Sequence, residues 1–202
     1  KRQLMITLNN ESVNIQPGAM QWYVGDVHQS TGLKGIGDTI KKFFNAQVTG
    51  ESTIKPQYEG TGVIVTEPSY KHYIIEDLDD WNGAMCVEDG LYCASETKVS
   101  LSTSMIKSVS GQTIGDEGLF NLCLKGSGKV VLECDVPQEE LITIDLHNDT
   151  LKIDGSFAIA WSENLDFTVE RSGKTLIGSA MSGEGLVNVY RGTGRVLIKP
   201  QI

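Results

Sequence analysis

The chain has 202 residues, with 17 Lys and Arg against 26 Asp and Glu and a formal net charge of −9. That length supports a sizeable core, a hydrophobic share of 40% excludes a disordered chain, and no apolar run reaches the roughly 18 residues of a membrane helix. The acidic balance argues against nucleic acid or an anionic membrane surface as partner, while glycine, at 22 of 202, exceeds its usual share of roughly 7%.

In chain order, Ile15-Gln16-Pro17-Gly18-Ala19-Met20 reads as an extended piece and a turn that lead into an apolar strand at Trp22-Tyr23-Val24. Asp38 is a candidate cap, and apolar residues at 40, 43 and 44 predict one short helix within Gly37 to Phe44. Glu51-Ser52-Thr53-Ile54 then precedes Tyr58-Glu59-Gly60-Thr61-Gly62-Val63-Ile64-Val65. The acidic run Glu76-Asp77-Leu78-Asp79-Asp80 lacks the Asp-x-Asp-x-Asp-Gly order of a calcium loop and reads as a solvated strand-to-turn segment. Val87-Glu88-Asp89-Gly90 leads into Leu91-Tyr92-Cys93-Ala94, and Glu117-Gly118-Leu119-Phe120 into Gly126-Ser127-Gly128 and Val130-Val131-Leu132. Leu141 to Leu146 and Leu165 to Val169 alternate with the period of strands. Ile153-Asp154-Gly155 leads into Phe157 to Trp161, and Glu184-Gly185-Leu186 into Gly192-Thr193-Gly194 and Val196-Leu197-Ile198.

These pieces repeat. The Gly-x-Gly pairs begin at residues 60, 126 and 192, each 66 after the last, and turn glycines recur at 18, 90 and 155. The chain therefore divides into three β units of about 65 residues, roughly 13–80, 81–150 and 151–202. The first carries about six extra residues near Gly32 to Gly50, since 42 residues separate its two glycine marks against 36 in the second. Each Gly-x-Gly reads as a tight hairpin turn between two strands. One unit cannot bury its own face, so the expectation is a single domain over 1–202 with pseudo-three-fold character.

The Pro17-Gly18-Ala19-Met20 start, the recurring Glu-(Gly/Ser)-apolar element and the Gly-x-Gly strands resemble the AIM24 family of TRAP-like proteins, which is named for a mitochondrial biogenesis protein and whose bacterial members are largely of unknown function. The resemblance covers almost the whole chain. It implies an all-β, TRAP-like fold related to the double-stranded β-helix, with at most one or two short helices, and it supplies no catalytic residues. The RNA binding that the fold's name suggests needs phosphate neutralisation and stacking platforms, which a charge of −9 opposes.

No catalytic, cofactor or metal site is legible. His28, His72 and His147 include no close pair, and no Gly-x-Ser-x-Gly is present. A Cys93–His147 pairing has nothing in the sequence to favour it. Cys86, Cys93, Cys123 and Cys134 are even in number but sparse, without Cys-x-x-Cys spacing, and read as reduced buried thiols. With no signal peptide at the start of the sequence, they imply the cytoplasm. Glu51, Glu117 and Glu184 occupy equivalent places, as caps of strand-start amides or as an axial ring of three carboxylates. Trp22, Tyr23, Trp81 and Trp161 are candidates for a partner or ligand surface, although equivalent strands favour the core for Trp22 and Trp161. The expected function is a non-enzymatic β scaffold that binds a protein partner or a small ligand, or that forms a homo-oligomer. The alternative is a cupin-like or other enzyme with a pocket between the repeats.

Overall fold

A computed structural model describes residues 1–30, 55–105, 107–108, 120–171 and 186–200. The helix expected within 37–44 and the carboxylates Glu51, Glu117 and Glu184 lie outside the described residues. In chain order the strands are β1 (Met5–Ile15), β2 (Met20–Ser30), β3 (Gln57–Thr66), β4 (His72–Asp77), β5 (Ala84–Val87), β6 (Tyr92–Glu96), β7 (Val99–Met105) and β8 (Lys107–Ser108). They continue with β9 (Phe120–Gly126), β10 (Lys129–Cys134), β11 (Ile142–Asp154), β12 (Ala158–Ser162), β13 (Asp166–Arg171) and β14 (Leu186–Ile198). The described helical pieces are single 3-10 turns, Leu78–Trp81 and Gln138–Glu140. The all-β expectation holds.

Two sheets carry these strands. The first runs β2-β3-β1-β6-β10-β4, and the second runs β7-β9-β5-β12-β14-β13-β8, with β11 on the other edge of β14. Pairing is antiparallel throughout, apart from the short contact of β13 with β8.

One pairing scheme recurs along the chain. β3 holds β1 on one edge and β2 on the other. β9 and β10 hold β5 and β4 against β7 and β6. β14 holds β11 against β12 and β13. Each third strand is therefore hydrogen-bonded on both sides, and its β-branched and apolar residues, among them Ile64, Val130, Val189 and Val196, are buried. Three core clusters follow the scheme. Leu8, Ile15 and Ile64 pack in one, Ile74, Trp81, Leu124 and Leu132 in another, and Leu146, Trp161, Tyr190 and Val196 in the last.

The backbone angles mark the same positions. Asn10, Asn82 and Asn148 have φ of 55°, 54° and 54°, the left-handed region that asparagine tolerates better than most residues. The turn glycines 18, 90 and 155 have φ of 79°, 74° and 78°. At the first of them Ala19 N–H donates to Gln16 O at 3.0 Å, with Pro17 and Gly18 between, which is the residue order of a type II turn.

The Gly-x-Gly pairs do not turn hairpins. Gly60 and Gly62 lie inside β3, Gly192 and Gly194 lie inside β14, and Gly126 to Gly128 marks the passage of the chain from one sheet to the other. The signal was right about glycine and wrong about its use. At Gly60 the left-handed Asn10 bulges β1, so that Asn9 and Glu11 pair with consecutive residues of β3. On the other edge β2 crosses so closely that a Cβ on Gly60 would stand 2.0 Å from Asp26 O, and one on Gly126 2.2 Å from Lys98 O. Both have φ near 130° (131° and 127°), so space and backbone conformation both demand glycine. Gly192 shares the conformation, at 122°, but its Cβ would meet only Leu165 Cδ2 at 3.6 Å.

The cysteine reading needs a partial correction. Cys93 and Cys134 are free and buried, as expected, but Cys86 and Cys123 form a disulfide. They stand directly opposite one another on the adjacent strands β5 and β9, a proximity that 37 residues of separation conceal in the sequence. The inference of a cytoplasmic location from free thiols loses its ground there. Burial, with the nearby Glu133 charge adding to it, pushes the Cys93 thiol up to about 12, so it stays protonated and unreactive at neutral pH.

Two predictions follow from this packing. In urea titrations Gly60→Ala and Gly126→Ala should each cost well over 1 kcal/mol, while Gly192→Ala should cost about 1 kcal/mol from backbone strain alone. A Gly192→Ala loss equal to that of Gly60→Ala would contradict the close-approach account. A thiol assay of the unfolded, unreduced protein should find two thiols and, after reduction, four. The folded protein should find neither Cys93 nor Cys134 reactive at pH 8, and the Cys86→Ala/Cys123→Ala double variant should lose about 2–4 kcal/mol.

Candidate interaction surface

Among the described residues β2 is an edge strand, joined to β3 alone. Of its residues only Val27 is buried. Trp22, Tyr23 and Val24 are 47%, 44% and 61% exposed. Successive residues of a strand point to opposite faces, so three in a row leave both faces of β2 bare and apolar. The Tyr23 ring lies 6.2 Å from that of Tyr58, which supports it from one side. Near the strip Gln3 Nε2 donates to Gln21 Oε1 at 2.8 Å, and farther along the strand Asp26 faces His28 at 3.1 Å, both exposed.

The contrast with β6 and β12 explains the exposure. β6 lies between β1 and β10, and its residues Tyr92 to Ser95 are buried. β12 lies between β5 and β14, and all five of its residues are buried. β2 has the same kind of sequence but no second neighbour among the described residues. Trp22, expected in the core from its likeness to Trp161, is therefore half-exposed, whereas Trp161 is buried against Phe167 and Tyr190. Trp81 is buried too. Its Nε1 donates to Glu76 Oε2 at 2.9 Å, and the Arg195 guanidinium lies over the ring at 5.8 Å. Val24 was missed as a surface residue. The available signal was the run Trp22-Tyr23-Val24 itself, because three consecutive large apolar residues cannot all face one core from a strand.

The acidic run is the expected strand-to-turn segment, and the carboxylates of Glu76, Asp77 and Asp79 are engaged. Asp77 Oδ1 caps the 3-10 turn by accepting from Asp79 N, Asp79 accepts from Ser127 Oγ at 3.0 Å, and Lys129 pairs with Asp77 at 3.5 Å. His28, His72 and His147 lie on β2, β4 and β11, and among the described residues no three His, Cys, Asp or Glu gather as a metal site. Cys93 and His147 stand in different sheets. A groove of about 340 Å³ runs beside β1, lined by Ile6, Leu8, Glu11, Val13, Glu96 and Lys98. Its hydroxyl Ser12 Oγ hydrogen-bonds Thr97 Oγ1 at 2.7 Å rather than a general base. A smaller cavity of about 140 Å³ lies beside Cys86, Asn121 and Trp161. Among the described residues no helix is long and apolar enough to cross a membrane.

Comparison with known proteins agrees with the all-β architecture. An uncharacterised protein of Streptococcus pyogenes serotype M6 is 28% identical over 196 residues, covering 93% of this chain and 76% of that protein. The X-ray crystal structure of a Streptococcus pyogenes protein superposes with a TM-score of 0.70 at 25% identity, covering 98% of this chain and 88% of that one. The model of the family described as mitochondrial biogenesis AIM24 matches residues 1–201, and the chain belongs to that family.

Proposed function

We propose that the chain is a non-enzymatic β scaffold, one domain over 1–202 made of three TRAP-like units, that takes up a polypeptide along β2. The exposed Trp22-Tyr23-Val24 strip on an edge strand carries this reading. An edge strand presents unpaired N–H and C=O groups, which an added strand can satisfy, and the side chains on both faces supply apolar area worth roughly 25 cal/mol per Å² once covered. The charge of −9 disfavours phosphate-rich partners and leaves a protein as the class that fits an apolar strip. For the alternative of an enzyme with a pocket between the repeats, the groove beside β1 offers Glu11, Glu96 and Lys98 but no nucleophile–base pair among the described residues.

A photo-crosslinking benzoyl-phenylalanine placed at Val24 in the producing cells tests the reading. It should give a protein adduct that the same probe at Glu139, an exposed residue of the second 3-10 turn, does not. No adduct at Val24, or equal adducts at both positions, would overturn it.

A further inference from the structure

The occupant of the β2 edge can be read from two junctions that the chain makes within itself. In the first, β1 pairs with β6 through Val13↔Glu96, Asn14↔Ser95 and Ile15↔Ala94, and just beyond it Gln16 N–H donates to Cys93 O at 2.7 Å. In the second, β5 pairs with β12 through Met85↔Ser162, Cys86↔Trp161 and Val87↔Ala160, and Glu88 N–H donates to Ile159 O at 3.1 Å. The two ladders match residue for residue. From the first to the second, the leading strand advances by 85 − 13 = 72 residues and the receiving strand by 162 − 96 = 66.

The spacing of the marker residues tells where a third such ladder would fall. Asn82 and Asn148 are 66 apart, which carries Met85, Cys86 and Val87 onto Leu151, Lys152 and Ile153 of β11. Gly18 and Gly90 are 72 apart, which carries Glu96, Ser95 and Ala94 back onto Val24, Tyr23 and Trp22 of β2. The bulges agree with this alignment. The register of the receiving strand skips one residue between Met20 and Trp22, between Tyr92 and Ala94, and between Ala158 and Ala160. β2 and β11 do not pair with one another in the folded chain, and among the described residues β2 pairs with β3 alone and β11 with β14 alone. The two leftover edges are the two halves of one junction.

We propose, resting on the reading of β2 as a protein-binding edge, that β11 of a second copy of this chain occupies it, with Leu151 opposite Val24, Lys152 opposite Tyr23, Ile153 opposite Trp22, and Asp154 N–H donating to Gln21 O. The side chains suit the register. Leu151 with Val24 and Ile153 with Trp22 are apolar pairs on one face, while Lys152 and Tyr23 lie on the other. The backbone suits it too. Ile15 N–H donates to Pro56 O in the direction of β3, so Asn14 and Gln16 turn their amides toward β6, and Lys152 and Asp154 at the matching places turn theirs outward. Trp22 stands where the closed junctions bury Ala94 and Ala160, and here its indole is 47% exposed, so a covering strand would take that apolar area out of water. Each copy offers one β2 edge and one β11 edge, so every copy can both give and receive a strand.

Sedimentation equilibrium and register-specific crosslinking test the proposal. The purified protein should sediment as a multiple of 22.0 kDa, and Val24→Lys should return it to 22.0 kDa with its β circular-dichroism signal and a cooperative thermal transition retained. A mixture of the single variants Val24→Cys and Leu151→Cys should form a disulfide-linked dimer more than about tenfold above a mixture of Val24→Cys and Ile142→Cys, because the bridge needs Cα atoms within about 7 Å. If Leu151→Cys unfolds, Tyr23→Cys with Lys152→Cys probes the same register through exposed positions. A 22.0 kDa monomer, association that survives Val24→Lys, or Val24→Cys linking to itself in preference to Leu151→Cys would overturn the proposal. A monomer whose Val24 photo-probe still captures a different protein would overturn self-association alone, and a probe that captures nothing would overturn the reading of β2 as well.

Discussion

The structure depends on one constraint: β3, the β9–β10 pair and β14 must be hydrogen-bonded along both edges. A strand with two neighbours satisfies all of its backbone groups only if both neighbours lie close for its whole length. At β3 that closeness needs a left-handed asparagine on one side to absorb an extra residue, and on the other a glycine without a Cβ. Asn10 and Gly60 are thus two parts of one device. The clusters around Ile64, Leu132 and Val196 are buried because this pairing holds their strands in place.

The same constraint explains which parts of the fold could be read in advance. Turns at Gly18, Gly90 and Gly155 were legible because Pro17-Gly18 and Asp89-Gly90 carry a local conformational demand. The strand content was legible from β-branched runs and period-two alternation. The role of the Gly-x-Gly pairs was not, since a turn and a close crossing both call for glycine and differ only in what lies opposite. Asp26 O is 34 residues from Gly60, and no local pattern announces it. The Cys86–Cys123 bond failed for the same reason, because strand order, rather than spacing, put the two side by side.

The candidate surface was half legible. Tyr23 was named as a surface aromatic, and Trp22 was named as well but weighed toward the core by analogy with Trp161. The analogy was sound as to position and failed as to environment. Trp161 is covered because β5 completes its edge, and Trp22 is exposed because no described strand does the same for β2. Burial in a β protein is a property of the neighbouring strand as much as of the residue.

The exposure of β2 bears on what an uncovered edge can select. Backbone hydrogen bonds contribute about 0.5–1.5 kcal/mol each and are the same for any added strand, so three or four of them give affinity without choice. Choice comes from side chains, through the period of two. A partner strand displaced by one residue turns its apolar set to the opposite face. On most edge strands that slip is costly because one face is covered and the other wet. On β2 both faces are open at Trp22 and Tyr23, so the two faces are distinguished by what the partner brings: paired apolar residues at 151 and 153, with Lys152 between them. A lysine set against Trp22 or Val24 in the slipped register would lose water for its ammonium and gain no carboxylate, whereas beside Tyr23 it keeps its charge in solvent. The alternation Leu-Lys-Ile therefore fixes the register that the bare faces of β2 leave open.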